Sequence, residues 1–142
     1  MTSVDSEETV AEPGGAANVL DGNPYTHWHT AYSPAPVAPP HEIVVDTGGR
    51  HRLAGFRHIP RQDGGANGRV RDYEFAVSDD GSTWRTVATG SFADYQTEKE
   101  VTFGATTARH VRFRALSATN GGPFTSVAEL TVLQAPTGRL AP

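Results

Sequence analysis

Short stretches in which apolar and polar residues alternate dominate the chain. In "DYEFAVS" Tyr73, Phe75 and Val77 are separated by polar or small residues, and in "HVRFR" Val111 and Phe113 are separated by arginine. A period of two places every second side chain on the same face of a β-strand. Each stretch therefore has one face suited to a core and one suited to water.

The alternation predicts seven strands, bounded by glycine, proline and polar turn residues. A tight-turn signal, Asp80-Gly81, joins two of them into a hairpin, with Trp84 opening the second strand. A helical period is found only in one turn near residues 16–20. The predicted strands are residues 41–47, 52–60, 70–78, 83–90, 98–104, 108–118 and 126–134. This pattern predicts an all-β sandwich of seven or eight strands.

Length and the composition of the two ends predict a single module. A chain of 142 residues is long enough for one domain with its own core. Residues 1–15 are polar and lead into the sandwich, residues 16–134 hold the strands, and the tail 135–142 is rich in proline and glycine, like the start of an interdomain linker. We expect a monomeric module within a larger protein.

Charge and cysteine content exclude several classes of function. The formal net charge is -4, whereas a phosphate-backbone binder needs a basic face, so nucleic acid is not an expected partner. The chain has no cysteine, which excludes disulfides, thiol chemistry and a cysteine zinc site. No apolar run approaches a membrane span, and the first residues lack the features of a signal peptide. A secreted parent protein stays compatible with these observations.

The unusual residues are concentrated in three loops. The stretch "YTHWHTAYS" at 25–33 places five ring side chains in nine positions of a chain that is only 8% aromatic. The loop "PRQDGGANGR" at 60–69 combines glycines with arginine and amide side chains, and the loop "SATNGGPFTSVAEL" at 117–130 combines glycines with asparagine and a phenylalanine ring. Binding residues concentrate on loops held by a rigid scaffold, so these loops are the expected functional surface.

These stretches resemble the coagulation factor V/VIII type C, or discoidin, superfamily, and within it the carbohydrate-binding modules of family 32. The resemblance is carried by "LDGNPYTHWHTAY", "HEIVVDTG", "GFRHIPRQDGGANGRVRDYEFAVSDDGSTW", "ARHVRFRAL" and "TSVAELTV", over about residues 17–133. It implies a discoidin-like jelly-roll sandwich of about eight antiparallel strands in two sheets. It also implies a structural calcium ion and a shallow sugar site in loops at the same end.

A calcium ion prefers six to eight oxygen ligands, which the turn "LDGNPYT" could supply. Glu129 is a single carboxylate within the apolar run "SVAELTVL", where burial without a partner would be costly. From the residues alone, Glu129 could equally face water as part of normal alternation. The resemblance implies side-chain ligands from Asp21, Thr26 and Glu129, with carbonyl oxygens from Asn18, Asn23 and Ala128.

A sugar has an apolar face of C–H groups that stacks on a ring and hydroxyls that need donors and acceptors. The resemblance implies five sugar contacts: His29, Tyr32, Arg61, Asn67 and Phe124. Tyr32 stands where tryptophan is frequent in the family, which leaves the exact sugar open. The expected ligand is a terminal sugar of the galactose or N-acetylhexosamine type, with galactose, N-acetylglucosamine and N-acetyllactosamine as candidates. Trp28 is expected to be structural. Peripheral contacts are considered at Tyr25, His27, Gln62 and Asp63.

The residues indicate a binding module and not an enzyme. No paired carboxylates, nucleophile elbow or phosphate loop can be identified, and the His27/His29 pair lacks further zinc ligands. The resemblance implies a secreted glycoside-active parent enzyme of bacterial type. The alternative is a discoidin domain that binds a membrane lipid or a protein, but the loop tips have few apolar residues and few cations.

Overall fold

A computed structural model describes residues 2–136 of the chain. Within them lie eight strands and a 3-10 helix at Ala16–Leu20. The strands are β1 (Ser3–Val4), β2 (Trp28–His29), β3 (His41–Ile59), β4 (Asp72–Ser78), β5 (Arg85–Ser91), β6 (Lys99–Ala115), β7 (Ser126–Val127) and β8 (Glu129–Gln134). The all-β prediction is confirmed.

The strands form one large and one small antiparallel sheet. The large sheet has the order β1-β3-β6-β4-β5, with β8 paired to β3, and the small sheet consists of β2 and β7. The segment that precedes the predicted module contributes β1, in which Ser3 lies opposite Val44 and Val4 opposite Ile43. The N-terminal residues therefore form an edge of the large sheet.

Several predicted strand boundaries are wrong. Segments 41–47 and 52–60 are one strand, β3, because its pairing with β6 continues through register shifts between Asp46 and His51 and between Leu53 and Gly55. Such irregularities bend a strand without ending it, so that a long pair can curl around a core. For the same reason segments 98–104 and 108–118 merge into β6.

The other differences are smaller. The predicted strand 126–134 is divided at Ala128 into β7 and β8, which belong to different sheets. The strand predicted from residue 70 begins at Asp72, and Trp84 precedes β5. Trp84 instead lies outside the ladder, with the Arg112 guanidinium 4.9 Å from its ring centroid. Most of the predicted tail, residues 137–142, lies outside the described residues.

The core contains stacked aromatic side chains from the central strands. Phe56 stacks on Phe75 with ring centroids 4.4 Å apart and meets Phe113 edge-on at 5.8 Å. His58 stacks between Phe92 and Phe113 at 5.1 and 5.8 Å, and burial lowers its pKa to about 3, so this histidine is a neutral core residue. This core forms the rigid base beneath the three loops.

Among residues 2–136 there is no helix with the length and apolar character needed to cross a bilayer.

Candidate functional site

The loop at 25–33 is attached to the core by Trp28 and to the N-terminal segment by Glu8. Trp28 is fully buried and its indole Nε1–H donates to the carbonyl of Ser6 at 2.8 Å. The buried Glu8 carboxylate accepts the amides of Tyr32 and Ser33, both at 2.8 Å. Because Trp28 and Glu8 fix both sides of the turn, His29 and Tyr32 are presented from a rigid backbone.

Three rings at this loop form one wall. The His29 ring centroid lies 5.1 Å from those of Tyr32 and Phe124, and the Tyr32 and Phe124 centroids are 5.8 Å apart. Tyr32 meets both neighbours edge-on, a favourable aromatic arrangement. Phe124 arrives from the loop before β7, next to Thr125, whose amide donates to the Thr30 hydroxyl at 3.0 Å.

Hydrogen bonds assign the roles of the His29 and Tyr32 polar atoms. The Nδ1 atom of His29 lies 2.7 Å from the carbonyl oxygen of Thr30, which can only accept, so Nδ1 carries a hydrogen. In the neutral ring Nε2 is then an acceptor for a ligand hydroxyl. The Tyr32 hydroxyl donates to Oε1 of Glu12 at 2.8 Å, which leaves its oxygen lone pairs available.

Arg61 faces the wall from the second loop and is held by Asp63. Its Nε and one terminal nitrogen donate to the two carboxylate oxygens of Asp63 at 2.8 and 2.7 Å, and the other terminal nitrogen donates to the Asn67 carbonyl at 3.3 Å. This bidentate pair lowers the pKa of Asp63 and raises that of Arg61. Two of the five guanidinium N–H groups have no partner within the described residues, so they are available to a ligand.

Asn67 is positioned by the contact between the second and third loops. Gly68 has φ +87°, and a Cβ there would lie 2.6 Å from the amide nitrogen of Ser126. The close approach allows the Ser126 hydroxyl to donate to the Asn67 carbonyl at 2.8 Å. The Asn67 side-chain oxygen accepts from Asn120 at 3.1 Å, so the free function of Asn67 is mainly its amide donor. The sequence suggested both a donor and an acceptor.

The structure brings all five predicted sugar contacts into one open cleft of about 310 Å³. The cleft is lined by His29, Tyr32, Arg61, Asn67 and Phe124, together with Glu12. Sequence reasoning missed Glu12, Glu8 and Asn120. No local pattern distinguishes these side chains from solvated ones, because the partners that tie them to the cleft come from other loops.

The four peripheral residues have different surroundings. Tyr25 is 81% exposed, and Nε2 of His27 lies 3.4 Å from Oε2 of Glu12. Gln62 donates to the carbonyls of Pro60 and Gln96 at 2.7 and 2.8 Å, which ties the second loop to the segment before β6. Asp63 is occupied by Arg61. Gln62 and Asp63 thus support the cleft and do not line it.

The predicted calcium ligands lie around the turn after the 3-10 helix. Oδ1 of Asp21 accepts the Asn23 amide at 2.8 Å, and its other oxygen accepts the Thr26 hydroxyl. The Asn23 carbonyl accepts the amide and the hydroxyl of Thr26 at 3.3 and 3.1 Å. The side-chain nitrogen of Asn18 donates to the carbonyls of Pro13 and His27 at 2.9 and 3.0 Å, so Asn18 can offer a cation only oxygen atoms. The turn therefore gathers several oxygens in a small volume.

Glu129 lies against this turn with an unsatisfied carboxylate. The residue is 7% exposed, and its Oε1 has no hydrogen-bond partner among residues 2–136. Burial, together with the Asp21 carboxyl beside it, raises the pKa of Glu129 to about 7. Two adjacent carboxylates and an orphaned buried oxygen form a donor set that suits a hard cation. In the described part of the chain, no cluster of three or more His, Asp or Glu side chains is arranged to hold a metal, so backbone oxygens would have to complete the shell.

The chain matches known proteins over nearly its whole length. The F5/8 type C domain model matches residues 2–130. A sialidase of Micromonospora viridifaciens is 45% identical over 135 residues, or 93% of this chain, and a galactose oxidase of Gibberella zeae is 39% identical over 128 residues, or 88%. The chain spans only 21% and 19% of these two proteins.

Two solved structures from Clostridium perfringens share the fold. CpGH89CBM32-5, in complex with GalNAc-β-1,3-galactose, has a TM-score of 0.85 and 35% identity, with 92% of each chain covered. The family 32 carbohydrate-binding module of NanJ, in complex with galactose, has a TM-score of 0.81 and 30% identity, with 92% of this chain and 90% of that chain covered. Fold and cleft together define a β-sandwich binding module. The chain belongs to the F5/8 type C domain family and, within it, to the carbohydrate-binding modules of family 32.

Proposed function

We propose that the cleft binds a terminal galactose or N-acetylhexosamine residue of a glycan. One observation carries this proposal: the aromatic rings of Tyr32 and Phe124 line the same cleft as the Arg61 guanidinium, which Asp63 holds in place. A pyranose ring can place its C–H face against Tyr32 and Phe124 while its hydroxyls reach Arg61, Asn67 and Nε2 of His29. The galactose and GalNAc-galactose complexes of the two related modules support this sugar class over the lipid- or protein-binding alternative.

The cleft accommodates one sugar ring, so binding should be weak. One ring of about a dozen heavy atoms, at roughly 0.3 to 0.4 kcal/mol per atom, gives a dissociation constant of about 0.3 to 2 mM. Calorimetric titration with galactose, N-acetylgalactosamine, N-acetylglucosamine and N-acetyllactosamine, in the presence of calcium, tests the proposal. A glycan array that shows no binding to any of these sugars would refute it.

The charge of the cleft favours neutral sugars. Asp63 forms the ion pair with Arg61, whereas the Glu12 carboxylate at the cleft wall forms no ion pair with a lysine or arginine of the described residues. Galacturonic acid should therefore bind about tenfold more weakly than galactose, a difference of about 1.4 kcal/mol. In a Glu12→Gln variant the repulsive charge is absent, so the ratio of the galactose affinity to the galacturonic acid affinity should be smaller. Equal affinity for both sugars in the wild type would show that Glu12 does not face the ligand.

A structural calcium ion is also part of the proposal. Asp21, Thr26 and Glu129 would hold it with side-chain oxygens, and Asn18, Asn23 and Ala128 would complete the shell with carbonyl oxygens. The orphaned Oε1 of Glu129 supports this assignment, because a divalent cation would compensate a buried carboxylate. The ion would stabilise the turn from which the ring-bearing loop at 25–33 starts.

The parent protein is proposed to be a secreted carbohydrate-active enzyme. This chain would be its non-catalytic targeting module, as the much greater lengths of the related sialidase and galactose oxidase suggest. A weak binder attached to a catalytic domain raises the effective concentration of enzyme near its glycan. The module alone should leave aryl glycosides and natural oligosaccharides unchanged, and turnover that a single substitution here abolished would contradict this.

A further inference from the structure

His41, the first residue of β3, is fully buried, and both of its ring nitrogens face oxygen acceptors. Nδ1 lies 2.8 Å from a carboxylate oxygen of Asp5, and Nε2 lies 3.0 Å from the carbonyl oxygen of Pro123. An ionised carboxylate and a carbonyl can only accept, so both ring nitrogens donate. The ring is therefore an imidazolium that bridges the N-terminal segment and the third loop.

The surroundings of His41 favour this charged form. Burial lowers its pKa, but the hydrogen bond and the negative charge of Asp5, with the carbonyls of Pro123 and Val37, outweigh burial and raise the pKa above its usual value. Asp5 is itself fixed, because its second carboxylate oxygen accepts the amide of Glu42 at 2.7 Å. The bridge thus rests on an ordered part of the large sheet.

The carbonyl that His41 holds belongs to the residue directly before Phe124. On the other side of Phe124, the backbone is fixed by reciprocal bonds between Thr125 and Thr30, each at 3.0 Å. Thr119 is fixed to the second loop, because its amide donates to the Arg69 carbonyl at 2.8 Å, but residues 120–122 after it have only turn contacts and the Asn120 bond to Asn67. His41 therefore supplies the anchor on the N-terminal side of the Phe124 wall.

We propose that His41 is a positioning residue for the sugar cleft, which acts by fixing the Pro123 carbonyl and with it the Phe124 ring. The inference rests on the proposed function, since it assigns sugar affinity to the placement of that ring. It requires no contact between His41 and the ligand.

Two substitutions by amide side chains separate the hydrogen bond of His41 to Pro123 from its hydrogen bond to Asp5. In His41→Gln the side-chain nitrogen reaches the place of Nε2 and can donate to Pro123, whereas in His41→Asn it reaches only the place of Nδ1 and can donate to Asp5. Both variants remove the positive charge. Galactose affinity should stay within about threefold of wild type in His41→Gln and fall about tenfold in His41→Asn. Equal affinities in the two variants would overturn the proposal.

A double-mutant cycle tests the route through Phe124. In a Phe124→Ala background the ring that His41 positions is absent, so His41→Asn and His41→Gln should bind galactose equally. A tenfold difference that persisted in this background would mean that His41 acts by another route, and it would refute the assignment.

Amide hydrogen exchange gives a readout that needs no sugar. The amides of Gly122 and Thr125 are hydrogen-bonded, and both should exchange about tenfold faster in His41→Asn than in His41→Gln, while the core amide of Phe113 stays equally protected. Equal loop protection in the two variants would overturn the positioning role. If the wild type binds no sugar, the proposed function fails, and the exchange comparison still decides whether His41 fixes the loop.

Discussion

Arg61 shows at the residue scale how a loop side chain becomes a fixed recognition group. An arginine in a glycine-rich loop is usually solvated and free to move. Here Asp63 accepts two parallel hydrogen bonds from it, and only 12% of its side chain remains exposed. Because Asp63 already orders the Arg61 guanidinium in the free protein, sugar binding does not incur the entropy cost of immobilising this side chain.

Removing this guanidinium should cost more affinity than any other single truncation in the cleft. Arg61→Ala would leave two ligand hydroxyls desolvated without partners, at about 1 to 3 kcal/mol, or roughly 5- to 150-fold in affinity. Arg57→Ala removes an exposed arginine paired with Glu100 on the sheet and serves as the matched control. Calorimetric titration with galactose measures both. Undiminished affinity in Arg61→Ala and in Tyr32→Ala would mean that the site lies elsewhere.

Glu8 should make the fold sensitive to acid. Its carboxylate accepts the amides of Ala11, Tyr32, Val10 and Ser33, and these hydrogen bonds lower its pKa from 4.5 to about 2. A depressed pKa gives stability that is complete above pH 4.5 and is lost as the pH falls toward 2. Glu8→Gln should therefore be less stable at pH 7 and should lose less stability on acidification. Urea unfolding between about pH 2 and 7 tests this, with the exposed Glu98→Gln as a control that should follow the wild type.

At the scale of elements, the site depends on how the 60–69 loop is packed against β7. Gly68 has no room for a side chain, whereas Gly64 in the same loop has a similar φ of +85°, and a Cβ added there would meet no atom of the described residues within 4 Å. A positive φ penalises any other residue at both positions, so only the contact with Ser126 distinguishes them. Comparing substitutions at Gly64 and Gly68 therefore separates the cost of backbone strain, which both share, from the cost of steric overlap, which only Gly68 has.

Gly68→Ala should destabilise the module more than Gly64→Ala does. The positive φ should cost about 1 to 2 kcal/mol at each position, and the overlap with the Ser126 backbone should add to that only at Gly68. Thermal unfolding of the two variants measures the difference, and galactose affinity should fall only in Gly68→Ala because Asn67 is displaced. Equal melting temperatures would show that the loop can move away from β7 without cost.

At the scale of the whole molecule, the proposed calcium ion would join two distant parts of the chain. Its ligands come from the turn at 18–26 and from the start of β8, so an ion bound only to the native state should stabilise the entire fold. At 100 times its dissociation constant the gain is about 2.7 kcal/mol. EDTA should therefore lower the melting temperature by several degrees.

The matched variant for this measurement is Glu129→Gln. It removes the buried carboxylate, so EDTA should change its melting temperature much less than that of the wild type. Glu100→Gln, which alters an exposed carboxylate in β6, should keep the full response to EDTA. A wild-type melting curve that EDTA leaves unchanged, once bound metal is shown to be absent, would contradict the calcium proposal.

The sequence by itself determined the all-β class and the core faces of the central strands. Alternation at Tyr73, Phe75 and Val77 reports burial directly, because the period of a strand is local. The family's loop motifs also carried the choice of five cleft residues, which lie together in the structure, although their contact with sugar stays a prediction.

Tertiary structure decided the properties that depend on distant partners. The continuity of β3 and β6 depends on pairing between residues that lie from 41 positions apart, at His58 and Lys99, to 74 positions apart, at His41 and Ala115, and this pairing continues through the register shifts in β3. Glu8 and Glu12 resemble any other polar residue in the N-terminal segment until the 25–33 loop supplies amides and rings to meet them. The side-chain oxygen of Asn67 is partly occupied by Asn120, 53 residues away, so the amide donor is its main free function. Such roles arise from pairing across the fold, because a hydrogen bond needs both of its partners in place.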